Sequence, residues 1–417
     1  MAEVNWSENV EYSATGVVSP STVEQLQELV AGAERVKALG TRHSFSRVAD
    51  TTGQLISTAG LVLEPSIDHE GMTATVPGGW SYARVAAYLE HNGVALQNMG
   101  SLPHISLAGG TATGTHGSGN TNQILAAEIA ALDIVSADGS LRRLDRSAPE
   151  WGAVAVGLGA FGVITLVTLD VVPSYLMRQD LYSGASWETV LEDLDEIMAS
   201  AYSVNLHADY SSTHTRTIWQ KSIVEVGETN GCSDPEIVHE LWGASRRDIE
   251  EIDPGRTTTL APAGPWCDRL PHFVRDGSPS VSGDELQTEY FVDAANGPAA
   301  LATLRQMGER IDRHLHGAEI RTVAADDLWL SPTIGRQCLS IGFTWKKHAA
   351  EVTDLLPDIE RSLQRFDPTP HWGKLFGMER AELAERFARL DDFVALATSW
   401  DPGRKFANPF LDHLWPN

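Results

Sequence analysis

Cysteine is scarce in this chain. Its three copies, Cys232, Cys267 and Cys338, stand far apart among 417 residues. No metal-type spacing joins them and their number is odd, so neither a disulfide framework nor a thiolate metal site is expected. A reducing compartment suits the chain best. Positive charge is scarce as well: 31 Lys and Arg stand against 56 Asp and Glu, for a formal net charge of −25. Nucleic acid and anionic membrane surfaces need basic patches, so neither is an expected partner. No apolar run reaches membrane-spanning length. Met1-Ala-Glu-Val-Asn-Trp6 has neither the basic n-region nor the apolar h-region of a signal peptide. The 14 histidines are scattered without H-E-x-x-H pairing, so no metal is expected. The expectation is a soluble, cytoplasmic, monomeric protein that meets small molecules.

What is present is an ordinary globular composition, 42% hydrophobic and 21% charged, over a length that suits two domains. One stretch stands out, Gly100-Ser-Leu-Pro-His-Ile-Ser-Leu-Ala-Gly-Gly-Thr-Ala-Thr-Gly-Thr-His-Gly-Ser-Gly119. It is crowded with glycine and small hydroxyl residues and nearly free of charge. Glycine permits positive φ and close approach of the main chain, which suits a loop wrapping a phosphate or pyrophosphate. The spacing matches neither G-x-x-x-x-G-K-[ST] nor a strand-borne G-x-G-x-x-G leading into a helix. A long glycine-rich surface turn fits the composition equally well.

Along the chain, Thr22 caps a helical run from Val23 to Ala31, and Arg35 to Leu39 reads as a strand ending at Gly40. Strands are expected at Gln54–Ser57, Leu61–Leu63 and Thr73–Val76, and a helix at Tyr82–His91 closed by Asn92-Gly93. Ala126–Val135 and Leu141–Leu144 read as a hairpin, Pro149–Val156 as a helix, and Val163–Val172 as a β-branched strand behind the turn Gly157-Leu-Gly-Ala-Phe-Gly162. This is an α+β nucleotide-binding domain ending near Pro173. Beyond it, Trp187–Ala201 reads as one amphipathic helix, with strands at Val204–Tyr210 and Thr217–Val224. Residues 227–283 read as surface connections. A strand at Glu289–Val292, a helix at Pro298–Leu315, strands at Ile320–Val323 and Leu339–Trp345 and a helix at Glu351–Phe366 follow. That order describes an antiparallel sheet covered by helices on one side. Arg380–Ala397 reads as helical.

Three places can carry chemistry: the turn Gly40-Thr-Arg-His-Ser-Phe45, the glycine-rich stretch, and the group Glu319, Arg321, Thr344 and Lys374. Glu319 and Arg321 lie two apart on a strand and share a face. A carboxylate, a guanidinium, a hydroxyl and an ammonium together can grip several hydroxyl groups, which an apolar pocket cannot.

These places carry a resemblance. Asn5-Trp6, Gly40-Thr-Arg-His-Ser-Phe45, and Ser101-Leu-Pro-His-Ile-Ser106 running into Gly114-Thr-His-Gly-Ser-Gly119 are its first elements. Glu319-Ile-Arg-Thr-Val-Ala-Ala-Asp-Asp327, Phe343-Thr-Trp345, His371-Trp-Gly-Lys374 and Asp401-Pro with Phe406-Ala-Asn408 complete it. In this order, over nearly the full chain, the sequence resembles the vanillyl-alcohol-oxidase-type flavoproteins and, among them, the alditol (xylitol) oxidases. The resemblance implies a two-domain α+β flavoprotein: a PCMH-type FAD-binding domain over 1–173, a substrate (cap) domain over 174–370, and a segment over 371–417 returning to the first domain. It implies FAD bound covalently through His43. Ala38, Leu39, Gly40, Thr41, Arg42 and Ser44 would surround that tether. Ser101, Ser106, Gly109, Thr113, Gly114, Thr115 and His116 would follow the pyrophosphate and ring. Val163 and Ile164 would offer backbone groups, and His371 would stand at the cofactor. Ser101, Glu319, Arg321, Thr344 and Lys374 are implied to bind and turn over a polyol such as xylitol or sorbitol. Its terminal alcohol would become the aldehyde as O2 becomes hydrogen peroxide.

Two positions qualify this. Alditol oxidases carry a histidine before Phe-Thr, where this chain has Gly342. The proton acceptor and the preferred alcohol are therefore open, with Lys374 or Glu319 able to take over. Gly100, implied to lie beside the reactive edge of the flavin, favours oxygen access. An aldonolactone oxidase or dehydrogenase of the same superfamily and a flavin-binding protein without catalysis are the other readings.

Overall fold

The computed structural model describes residues 3–224, 238–247, 263–275 and 283–415, so Cys232 lies outside the described residues. The first 173 residues build two small sheets and a two-stranded pairing of Val94–Ala95 with Val172–Pro173. In the first, Gly16–Val18, Gln54–Ser57 and Val36–Leu39 pair in parallel. The Val23–Gly32 helix, capped by Thr22 accepting from the Gln25 N–H, buries Leu26 and Val30 beside that sheet. In the second, Ser66–Asp68, Thr73–Pro77, Val163–Asp170, Ile129–Val135 and Leu141–Asp145 lie antiparallel in that order. The Tyr82–His91 helix buries Val85, Ala86 and Leu89 in the main core.

A ten-stranded antiparallel sheet follows. Its centre runs Leu176–Ser183, Thr217–Val224, Ser203–Ala208, Leu315–Val323, Cys338–Lys346, Glu285–Asp293. Along the last three strands the side chains alternate by chemistry. Ile320, Leu339, Ile341, Val292 and their neighbours enter the core, where the Gly297–Arg305 and Ala349–Leu363 helices bring Leu301, Leu304, Val352 and Ile359. The other face carries Gln287, Glu289, Glu319, Arg321, Ser340, Gly342 and Thr344. Period-two alternation thus separates a greasy face for packing from a polar face for a site. The chain end returns to the first sheets, where Asn408 Nδ2 donates to the carbonyls of Arg47, Val48 and Asp50. Among the described residues no helix is long and apolar enough to cross a membrane.

Several elements differ from expectation. Leu61–Leu63 is not a strand; Leu61 is a buried anchor, and the strand lies at Ser66–Asp68. Residues 125–128 form a 3-10 turn, so the hairpin strand begins only at Ile129. The glycine-rich stretch contains a short helix, Leu107–Ala112. The expected helix over 187–201 is two pieces, Trp187–Glu192 and Leu194–Ala199, parted where Asp193 leaves helical backbone geometry. The one over 298–315 also breaks, into Gly297–Arg305 and Gly308–Asp312, and Leu315 already starts a strand. Gly308 explains the bend: a Cβ there would lie 2.7 Å from the Tyr210 backbone, so the chain is pressed against its neighbour. The expected helix over 380–397 is Arg380–Arg386 and Leu390–Trp400. Nor is the described part of 227–283 merely surface. Trp266 and Cys267 are fully buried in a short helix, Trp266–Arg269.

Candidate active site

One cavity runs between the glycine-rich turns and the polar face of the large sheet. Its first wall is the turn after the Val36–Leu39 strand. Arg42 adopts φ +66°, a left-handed conformation that costs a non-glycine residue about 1 kcal/mol or more and needs outside support. That support comes from the Asn5-Trp6 pair. Asn5 Nδ2 donates to the Ser44 carbonyl (2.9 Å), the Trp6 N–H donates to the Arg42 carbonyl (2.8 Å), and the indole stacks on His43 with ring centroids 5.4 Å apart. From the far side, the Phe45 N–H donates to the Gly373 carbonyl at 2.7 Å. The His43 ring has Nδ1 3.0 Å from Thr41 Oγ1, while its buried Nε2 has no hydrogen-bond partner. Burial, aided by His104, pulls the imidazole pKa down to about 4. The ring is therefore neutral at ordinary pH, with one nitrogen unused.

The second wall is Ser101 to His116. The Ser106 N–H donates to Thr41 Oγ1 at 3.0 Å, binding this wall to the first. A Cβ at Gly109 would lie 2.6 Å from Ser106 Oγ, and one at Gly40 would overlap the same atom. Both glycines therefore leave room for the Ser106 hydroxyl beside the cavity that all three residues line. The third wall is the Gly157–Gly162 turn, with Leu158 at φ +51° and Gly159 at φ +66°. Lys37 fixes it from beneath, its buried ammonium donating to the carbonyls of Leu158 (3.0 Å), Gly159 (3.2 Å) and Phe406 (3.2 Å). Burial draws the Lys37 pKa down to about 7.

The floor is the polar face of the large sheet. Glu319, Gly342 and Glu289 are direct cross-strand neighbours, as are Arg321 and Ser340. Arg321 pairs with the Glu319 carboxylate and donates from Nη2 to Ser101 Oγ at 2.8 Å, joining the sheet to the second wall. His207 Nε2 lies 4.0 Å from the other Glu319 oxygen. Burial pulls the His207 pKa down to about 3, and the nearby Arg321 charge adds to it. Lys374 Nζ donates to Glu289 Oε2 at 2.6 Å. Burial would raise the Glu289 pKa, but Lys374 and His116 outweigh it and hold the carboxyl well below its usual range. His371 accepts at Nδ1 from the Gly373 N–H (3.1 Å), and burial followed by the Lys374 charge lowers its pKa to about 3. Its proton therefore sits on Nε2.

The cavity gathers nearly all the residues singled out in the sequence. Ala38, Leu39, Gly40, Thr41, Arg42, His43 and Ser44 line it, as do Ser101, Ser106, Gly109, Thr113, Thr115, His116 and Ile164. Glu319, Arg321, Thr344, His371 and Lys374 line it from the other side. Gly114 and Val163 do not. Gly114, at φ +71°, turns the chain against Pro332, and the Val163 side chain is buried in the core beside the Val23–Gly32 helix. Sequence reasoning missed Glu289, Gln287, Phe273 and Lys37, all of which line the cavity. For Glu289 a signal existed: a carboxylate inside an expected strand needs a partner when buried. Gly342 opens less space than its missing side chain suggests, since a Cβ there would lie 3.3 Å from Glu289 Oε1. Among the described residues no group of three or more His, Cys, Asp or Glu could hold a metal ion.

Two protein families match parts of the chain: an FAD binding domain over residues 14–145 and D-arabinono-1,4-lactone oxidase over residues 284–414. Alditol oxidase from a Streptomyces species is 38% identical over 421 aligned residues, covering 99% of each chain. L-gulono-1,4-lactone dehydrogenase from Mycobacterium tuberculosis is 29% identical, covering 97% of each. Among solved structures, cholesterol oxidase from B. sterolicum superposes with a TM-score of 0.81 at 14% identity, over 100% of this chain and 96% of that one. That likeness speaks for the fold alone. The close approach at Gly40 and Gly109 and the unused His43 nitrogen suit a bound flavin, and near end-to-end similarity fixes the kinship: the chain is an FAD-binding α+β flavoprotein of the alditol oxidase family.

Proposed function

We propose that the protein is an oxidase of polyols such as xylitol and sorbitol, converting a terminal primary alcohol to the aldehyde and O2 to hydrogen peroxide. The observation that carries this reading is the join between Ser101, Arg321 and Glu319, which sets a polar, charged floor against the flavin-binding walls. The chemistry FAD supplies when bound is acceptance of a hydride from the carbinol carbon and return of the electrons to oxygen. His43 is its covalent tether, with the neutral ring and partnerless Nε2 as support. Thr41, Ser106, Gly109, Thr113, Thr115 and His116 hold the cofactor along the cavity. Residues 1–173 with 371–417 form the FAD-binding domain, and 174–370 the cap over it.

Ser101 accepts from Arg321, so its own hydroxyl proton is left to donate to a substrate oxygen. Glu319 lines the cavity, with one oxygen on Arg321 and the other 4.0 Å from His207. The substrate hydroxyl proton goes to this carboxylate. Lys374 is held as a cation by Glu289 and donates to hydroxyls along the chain, with Thr344 and Gln287 beside it.

The test is acid precipitation followed by a polyol panel with peroxide detection. A yellow pellet and peroxide from xylitol or sorbitol are expected. A colourless pellet removes the tether. A second reading, oxidation of an aldonolactone, is favoured by the lactone oxidase match over 284–414. It prevails if L-gulono-1,4-lactone bleaches the flavin anaerobically and no polyol does. If the reduced protein reoxidises slowly in air and rapidly with a quinone, dehydrogenase replaces oxidase.

A further inference from the structure

Glu289 is more deeply buried than any other carboxylate facing the cavity, with 3% of its side chain exposed. Three donors from three segments converge on it. Lys374, on the turn after the sheet, reaches Oε2 at 2.6 Å. His116, at the end of the glycine-rich stretch, brings Nε2 to 3.2 Å from Oε1, and Ser340 donates to the same oxygen from the neighbouring strand. The other His116 nitrogen, Nδ1, lies 2.8 Å from the Gly117 carbonyl. A carbonyl and a carboxylate only accept, so this geometry asks for a proton on both ring nitrogens. A buried carboxylate so surrounded stays ionised and fixes its donors in place. The Lys374 backbone is separately held, by its N–H on the His371 carbonyl at 3.0 Å, which leaves the side chain to be oriented by Glu289.

We propose that Glu289 is a positioning residue that locks Lys374 and His116 as proton-bearing donors, so that Lys374 presents charge to the substrate and does not take its proton. The role of Lys374 toward substrate rests on the polyol reading; the lock itself does not.

The experiment uses the flavin-loaded protein and Glu289→Gln, which keeps the volume and removes the charge. Lys374 acetylation by acetic anhydride is followed by peptide mass spectrometry without substrate. In the wild type, Lys374 should label roughly tenfold more slowly than Lys347, a wider gap than their side-chain exposures of 21% and 32% account for. In Glu289→Gln the Lys374 rate should rise roughly tenfold, the scale of one lost charge-assisted hydrogen bond. Equal labelling of Lys374 and Lys347 in the wild type overturns the lock even if the variant does not fold, and so does an unchanged Lys374 rate in a folded variant. Anaerobic bleaching by xylitol supplies the second arm. Glu289→Gln should slow it roughly tenfold by the same loss, yet add no slowing to Lys374→Met. Additive effects overturn action through Lys374. Failure of xylitol to bleach the wild type overturns the polyol reading and leaves the labelling result standing.

Discussion

Gly100 has room for a methyl group. A Cβ there would meet the His116 carbonyl and Thr115 Cγ2 at 3.5 Å, ordinary contact distance, and its φ is not left-handed. Gly100→Ala should therefore fold and bind flavin normally while narrowing oxygen access. Reoxidation of the reduced protein in air is expected to slow on the order of tenfold, about 1.4 kcal/mol of barrier, with the anaerobic bleaching rate unchanged. Stopped-flow absorbance reads both. Gly342 behaves differently from its neighbour in the sequence argument. Its missing side chain was legible, but its consequence was not, because the nearest atom to the gap belongs to Glu289 on another strand. Residue-level reading found Glu319, Arg321 and Lys374 as candidates. It could not rank Glu319 against Lys374 as the proton acceptor, since that depends on which counter-charge each one meets.

At the level of elements, period-two alternation correctly placed Glu319 with Arg321 on one face. The long helices were over-read because their breaks come from packing, as at Gly308 against Tyr210. The described part of 227–283 also gained a role no pattern announced. The N–H groups of His272 and Phe273 donate to the Ser101 carbonyl at 3.0 and 3.1 Å, and Lys221 on the large sheet donates to the carbonyls of Leu270 and Pro271. Lys221 is thus a buried pin behind the site. Burial, and then the Arg321 charge, draw its pKa from 10.5 to about 7. Between those values the unfolded chain binds more protons than the folded one, so this lysine makes stability rise with pH across that window. Lys221→Met should flatten the rise, and melting temperatures of both proteins from pH 7 to pH 10 check it.

At the scale of the whole molecule, the chain end is a clasp. Asn408 Nδ2 donates to the carbonyls of Arg47, Val48 and Asp50 in one loop, at 3.3, 3.0 and 2.8 Å, and its own Oδ1 accepts from the Leu411 N–H at 2.8 Å. Asp401 in turn accepts from the Phe406 N–H at 2.7 Å, and the Phe406 carbonyl receives Lys37. The final segment therefore supports both the His43 turn and the Gly157–Gly162 turn. Asn408→Ala leaves buried carbonyls without their donor and should cost about 1–3 kcal/mol. Calorimetry should show a lower melting temperature.

The sequence by itself determined the α+β class, the acidic character, the strand faces and the motif residues that line the cavity. The class, the charge and the faces follow from composition and short-range periodicity, and the motif residues from the family resemblance that those stretches carry. Tertiary structure alone decided which charge answers which. Glu289 meets Lys374 across 85 residues and Arg321 meets Ser101 across 220. Burial and counter-charge are set by what folds against a side chain, and neither is written in the residues beside it.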